Sequence, residues 1–337
     1  KVAEPIYRQA RLLGILRAKR RISYNHDEDD IRWRVRYVRR RPEVITGPVV
    51  STPFLAPVRH KTAVLDWRGY ALGEYILPIE QLKGRTKETA LPRLLDDIVR
   101  SVIEDFELFI SEILYKDGNT AEQHLHGLES MFGTDNTSMV EPVLNPNDTY
   151  AGLSTVIGAY GGTIKGNWPV GSFTSEAIFW TPLIEKWNDN RFKRNPNEEA
   201  TWENNGEKAI RYCTTWLWAN QSVQPDVIIM HPDMLRQLKD SLTPYRQLQV
   251  TPKSPIVDLG IQTVQFDGLE LVDDPNCPVD TAYVLSTNKM ELMSMQSELI
   301  HVHQDIDRYR TKTLFFDFYG NMRIESPAFL GKLVKVT

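Results

Sequence analysis

Only two cysteines, Cys213 and Cys277, occur in 337 residues. They have neither the density of a secreted disulfide scaffold nor the paired spacing of a thiolate zinc site, so two free thiols in a reducing compartment are expected. No uninterrupted apolar run approaches the roughly 20 residues that a membrane-spanning helix needs. The N-terminus also lacks the apolar segment of a secretory signal, so a soluble chain with no membrane partner is expected. Neither sign of charge dominates: 40 Lys and Arg stand against 44 Asp and Glu, a net charge of -4. That balance argues against a protein whose whole surface is a basic glove for nucleic acid. No internal repeat at a solenoid or propeller period is present. What the chain does have is 41% hydrophobic residues, enough for a sizeable core in one large domain or two ordinary ones.

The charge is unevenly placed. Residues 1–41 carry 13 basic and 5 acidic side chains, which leaves 27 basic and 39 acidic for the remainder. A basic arm is therefore attached to an acidic body. Within the arm, "PIYRQARLLGILRAKRR" predicts a short amphipathic helix with Ile6, Leu12, Leu13, Ile15 and Leu16 on a narrow apolar stripe. It is followed by the acidic knot "HDEDD" and then by "IRWRVRYVRRR". In the last of these Arg32, Arg34 and Arg36 alternate with Trp33, Val35 and Tyr37, so an extended chain would carry guanidinium groups on one face and apolar groups on the other. Single-strand nucleic-acid binders use such a pattern, and so does any strand with one packed face. The arm has too few apolar residues for a core of its own and is expected to lean on another surface.

Residues 49–80, rich in Val, Leu, Tyr and Trp with turn residues at Pro57 and at Arg68-Gly69, predict a long two-stranded excursion. A lone ribbon of that kind is marginal in water. The strongest periodicity lies in "TALPRLLDDIVRSVIEDFELFISEILYKDG": Leu91, Leu94, Leu95, Ile98, Val102, Ile103, Phe106, Phe109, Ile110, Ile113 and Leu114 recur every three or four residues. This predicts a helix of about 25 residues and roughly 38 Å, with Thr89 as N-cap, Pro92 in the first turn and Gly118 beyond the end. Its acids Asp97, Glu104 and Glu112 fall on the solvated side. Further on, "ENNGEKAIRYCTTWLWANQ" reads as a partly buried helix, and "PDVIIMHPDMLRQLKDSL" as a buried strand running through His231-Pro232 into a helix. From 255 onward short alternating runs separated by turn residues predict an antiparallel sheet. The fold class is α+β.

Chemistry-bearing motifs are weak. His301, His303 and Asp305 in "HVHQDID" resemble half of a zinc-hydrolase motif, but Ile306 stands where the last His belongs and no His follows His303. Alternation within a strand already puts the three on one face without a metal. "GAYGGTIKGN" is Gly-rich, yet Lys165 precedes Gly166 and the phosphate-loop order is absent. No G-x-S-x-G elbow occurs and neither cysteine sits in a nucleophile signature. No catalytic residue, cofactor or metal is assigned, and an enzyme is not expected. Five aromatics, Trp33, Tyr37, Trp67, Tyr70 and Tyr75, lie in the arm and ribbon, where no core is evident. They either pack on the body of the same chain or are buried against neighbouring subunits, where aromatics and Arg are enriched. The second reading is the expectation.

The residues "TYAGLST" at 149–155, "PDVIIMHPDMLRQL" at 225–238, "FDGLELVDDPNCPVDTAYVLSTNKMEL" at 266–292 and "FYGNMRIESPAFLGKL" at 318–333, in an order of basic arm, ribbon, long helix and α+β region, carry a resemblance. The chain resembles the major capsid protein of tailed double-stranded DNA phages, with the Hong Kong 97 phage-type fold. That resemblance implies an N-terminal arm at 1–48, an extended β-loop at 49–80, a spine helix and first part of a peripheral domain at 81–148, an axial domain at 149–254, and the second part of the peripheral domain at 255–337. It implies copies of itself as partners, in pentamers and hexamers, with scaffold, portal and decoration proteins and packaged DNA contacted without sequence preference, in a virion assembled in the bacterial cytoplasm. The expected intersubunit contacts are Arg32, Trp33, Arg34, Val35, Arg36, Tyr37, Lys61, Trp67, Tyr70 and Tyr75. Lys61 stands where a crosslinking Lys of some members lies, but no neighbouring motif supports that reaction. An encapsulin-like nanocompartment shell, and a nucleic-acid-binding protein working through its basic arm, are the alternatives.

Overall fold

The computed structural model describes residues 10–37, 60–76, 90–120, 124–161, 164–165, 172–173, 178–193, 195, 197–242, 249–250, 263–306 and 312–336. At its centre is a mixed nine-stranded sheet in the order Gln249–Val250, Val264–Phe266, Leu269–Asp273, Val227–Met230, Thr281–Leu285, Gly331–Val334, Leu183–Lys186, Val143–Pro146, Thr134–Val140. The alternation of a strand sends successive side chains to opposite faces. Ile228, Met230, Ala282 and Val284 accordingly join one apolar cluster, and Val227, Ile229, Tyr283 and Leu285 the other. The first face is covered by the helices Trp202–Gln221 and Pro232–Leu242, the latter opening on Pro as the sequence predicts. Both predicted units, the partly buried helix and the strand-to-helix unit, are present.

The strands on either side of residue 255 share this sheet, because Val227–Met230 lies between Leu269–Asp273 and Thr281–Leu285. It pairs in parallel with the first of these and antiparallel with the second, and the single antiparallel sheet expected from 255 onward is corrected: its strands divide between this mixed sheet and a second one.

The second face carries the long helix, Ala90–Ile113, 24 residues and about 36 Å. Val102, Phe106, Ile110 and Ile113 are buried, while Asp97, Glu104 and Glu112 are exposed, as the periodicity requires. Phe109 departs from the predicted stripe and is 39% exposed. The helix ends where Gly127 and Leu128 close over it: the Leu128 N–H donates to the Leu114 carbonyl at 2.8 Å. A Cβ on Gly127 would lie 2.5 to 2.7 Å from the carbonyl oxygens of Leu114, Lys116 and Ile113, so only glycine admits this approach.

Beneath the long helix lies a five-stranded sheet built on Lys312–Ile324. Met290–Ser294 and His301–Ile306 pair along one edge, Arg68–Ile76 along the other, and Ile22–Ser23 joins Met290–Ser294 in parallel. The expected ribbon within 49–80 is corrected here. Its strands His60–Leu65 and Arg68–Ile76 do not pair with each other. The first pairs with Ile31–Arg36 and the second with Lys312–Gly320. Glycine sets the choice: Gly69 and Gly73 stand opposite Tyr319 and Phe315, and the Tyr319 ring occupies the space a Gly69 side chain would fill, 2.5 Å from its ideal Cβ. The Asp66 carbonyl between the two strands accepts the Asn321 amide at 2.8 Å, which fixes the point of divergence.

Candidate intersubunit surface

The alternating stretch forms the strand Ile31–Arg36, antiparallel to His60–Leu65. Residues directly opposite share a face. Ile31 with Leu65, Trp33 with Ala63 and Val35 with Lys61 therefore form the inner face, and Arg32 with Val64, Arg34 with Thr62 and Arg36 with His60 the outer. Exposure follows the same alternation: Ile31 and Val35 are buried, Trp33 is half-buried, and all three arginines are exposed. Residues 38–41, the remainder of the basic run, lie outside the described residues.

An aromatic floor supports the inner face. The Trp33 ring centroid lies 6.3 Å from Tyr150 and 6.4 Å from Trp180, and its indole N–H donates to the Glu325 carbonyl at 3.0 Å. Tyr37 packs on Phe179 at 5.6 Å, and Phe179 on Tyr160 at 5.3 Å. Lys61 faces inward, its ammonium 4.4 Å from the Tyr160 ring centroid, a cation–π position. Tyr150 in turn is tied to the five-stranded sheet: its hydroxyl donates to the Met322 carbonyl at 2.8 Å and accepts the Ile324 N–H at 2.9 Å. It thus satisfies the edge of Lys312–Ile324 beyond Gly320, where Arg68–Ile76 stops. Tyr150 sits in a tight hairpin turned by Ala151 and Gly152, both at positive φ.

Beside the ribbon a cleft of about 430 Å³ opens between Trp33–Tyr37, Asn220 and Gln221 at the end of Trp202–Gln221, and the segment from Arg323 to Phe329. Arg34, Arg36 and Arg323 line it with one carboxylate, Glu325. Lys289 engages that carboxylate at 2.7 Å.

The preceding helix, Arg11–Ala18, leans on the body of its own chain, the other surface that so small an apolar stripe needs; Ile6 of that stripe lies outside the described residues. Leu12, Leu13, Ile15 and Leu16 are fully buried in the cluster that contains the long helix. Its charged residues clasp the acidic body: Arg11 pairs with Asp273, Arg17 lies 3.6 Å from Glu107, and Lys19 lies 2.7 Å from Asp226 and 3.7 Å from Glu270. The sequence missed these partners because all lie at least 90 residues away.

The other expected contact residues also have partners within the chain. The Trp67 indole N–H donates to the Glu28 carbonyl at 2.8 Å. Tyr70 packs edge-on against Phe109 at 5.3 Å, and its hydroxyl accepts the Leu125 N–H at 2.8 Å. Tyr75, by contrast, is 68% exposed, and Leu72 on the same strand is 42% exposed. His301 and His303 are exposed strand residues, with the His303 ring stacked 5.1 Å from Phe315 and its Nδ1 3.4 Å from Asp317. Among the described residues no group of three or more His, Cys, Asp or Glu is disposed to hold a metal ion, and no helix is long and apolar enough to cross a membrane.

No family model matches the chain, and no curated protein matches it by sequence. Solved structures do match. The capsid asymmetric unit of cyanophage A-1(L) aligns with 98% of this chain and 93% of its own length, at a TM-score of 0.59 and 15% identity. The capsid of an empty GTA particle aligns with 95% of this chain and 96% of its own, at 0.53 and 7%. The holo-SrpI encapsulin complex from Synechococcus elongatus PCC 7942 aligns with 100% of this chain and 90% of its own, at 0.50 and 10%. The likeness runs through the whole chain and not through one common substructure, so the mixed α+β architecture of this chain is the Hong Kong 97-type fold of tailed-phage capsid proteins.

Proposed function

We propose that the chain is a structural subunit that self-assembles, as pentamers and hexamers, into the icosahedral capsid enclosing the double-stranded DNA genome of a tailed bacteriophage. The observation that carries this reading is the alignment with the cyanophage capsid over 98% of the chain. The surface supports it: a ribbon with three exposed arginines, and a sheet-edge strand that exposes Leu72 and Tyr75, are features that an assembly would cover. Arg32, Arg34, Arg36 and Tyr75, with the half-buried Trp33, Tyr37, Trp67 and Tyr70, supply intersubunit contacts. Val35 and Lys61 support them from the ribbon's inner face. Scaffold, portal and decoration proteins would be further partners, in a virion assembled in the bacterial cytoplasm. Packaged DNA would be met through phosphate contacts alone, without reading of sequence.

A second reading, an encapsulin-like shell around a protein cargo, draws on the full-length alignment with the encapsulin complex. Its TM-score is lower than that of the cyanophage capsid, 0.50 against 0.59. Particles isolated from the native source and treated with nuclease separate the two. Protected double-stranded DNA of uniform length is the expected content; a single co-purifying protein with no protected nucleic acid would overturn the phage reading.

A further inference from the structure

The ribbon strand is electrically segregated along its length. Where it begins, the turn before Ile31 exposes Asp27, Glu28 and Asp29, and none of these three carboxylates has a hydrogen-bond or ion-pair partner among the described residues. Asp30, beside them, is paired with Arg32 at 2.5 Å. Where the strand ends, the cleft presents Arg34, Arg36 and Arg323, and Arg34 has no ion-pair partner among the described residues. Lys289 engages Glu325 and Glu291 lies 3.4 Å from Arg323, which leaves the Arg34 guanidinium as the cleft's positive charge without an ion-pair partner among the described residues. Its volume of about 430 Å³ is ample for a few side chains and lies in the range of ordinary ligand sites.

The two ends cannot meet within one molecule. Glu28 and Arg34 are six residues and at most about 20 Å apart along the chain, and pairing with His60–Leu65 holds the strand between them straight. An acid end and a basic end held apart on one rigid element can pair with each other only between copies.

We propose that the cleft at the Arg34 end of the ribbon receives the Asp27–Asp29 turn of a second copy of this chain. The contact is heterologous, the turn of each copy entering the cleft of the next, and such a contact closes into a ring when the rotation allows. It rests on the shell reading and adds to it a defined pair of surfaces. Charge pairs in a partly desolvated cleft fix orientation and register more than they add affinity, which is what a ring of fixed size requires.

Charge reversal tests it. Arg34→Glu reverses the cleft, Asp27→Lys with Glu28→Lys reverses the turn, and a third variant carries all three substitutions. All three positions are exposed, and circular dichroism checks that each variant folds. Each single-sided reversal is expected to lower particle yield about tenfold or more at physiological salt, the scale of one interfacial charge pair, and the triple variant to recover it. Normal assembly of the single-sided variants, or failure of the folded triple variant to recover, would overturn the pairing while leaving the shell reading intact. Arg34→Glu particles that form normally but retain less DNA would assign the arginines to nucleic acid and also overturn it. A wild-type chain that remains monomeric overturns both.

Discussion

Asp274 holds Leu12 in place: one carboxylate oxygen accepts the Leu12 backbone N–H at 3.1 Å, and the same oxygen accepts the Tyr115 hydroxyl at 2.8 Å. The helix Arg11–Ala18 has no side-chain cap of its own at Ala10, so a carboxylate 262 residues away does that work. Burial pushes the Asp274 carboxyl up, and the hydrogen bonds from Asn276, Tyr115 and Leu12 oppose that rise. Asp274→Ala would leave two buried donors without an acceptor and is expected to cost about 2–3 kcal/mol. Urea unfolding measures the loss, and amide exchange should show the Leu12–Leu16 amides losing protection first.

Gly127→Ala should destabilise by about 2 kcal/mol or more, since its methyl would enter three carbonyl oxygens at the end of the long helix. The same substitution at Gly152, where no atom lies within 4 Å of the added Cβ, meets only the strain of positive φ and should cost about 1 kcal/mol. Thermal denaturation of the two variants side by side checks the order.

Tyr150→Phe removes the hydroxyl that bridges Met322 and Ile324 and leaves a buried carbonyl and N–H unpaired, at about 1–3 kcal/mol. Faster hydrogen exchange at Ile324, with the Tyr70 neighbourhood unchanged, is the expected signature.

Glu185 lies fully buried in the strand Leu183–Lys186, and neither carboxylate oxygen has a hydrogen-bond partner among the described residues. Desolvation, reinforced by Asp189, pushes its carboxyl well above the usual carboxylate range. The unfolded chain releases this proton at an ordinary carboxylate pH, whereas the folded chain holds it to a higher one. The site's contribution to stability is therefore full below the unfolded value and is lost as pH rises through the folded value. Glu185→Met should raise the unfolding midpoint at pH 8 and change it little at pH 4.

Local patterns made several elements legible. The alternation of Arg32, Arg34 and Arg36 with Trp33 and Val35 is the observed strand, and the three-and-four spacing from Ile98 to Ile113 is the long helix. Pairing partners were not legible, because they depend on contacts distant in sequence. His60–Leu65 chose Ile31–Arg36, and Arg68–Ile76 chose Lys312–Gly320 through glycines set under Phe315 and Tyr319. Phe109, off the buried stripe, meets Tyr70, which that distant strand supplies, edge-on. The candidate surface was half legible for the same reason. Its outward arginines follow from the period of a strand, while the floor of Tyr150, Phe179 and Trp180 needed the fold to come together.

Whether the chain assembles by itself is read by cryo-electron microscopy of the purified protein at increasing concentration. Closed icosahedral shells one subunit thick are expected, in which the ribbon Ile31–Arg36 and His60–Leu65 of each copy lies against a neighbour. A folded chain that stays monodisperse and monomeric at high concentration, with no shells or capsomers under any salt condition, would contradict self-assembly.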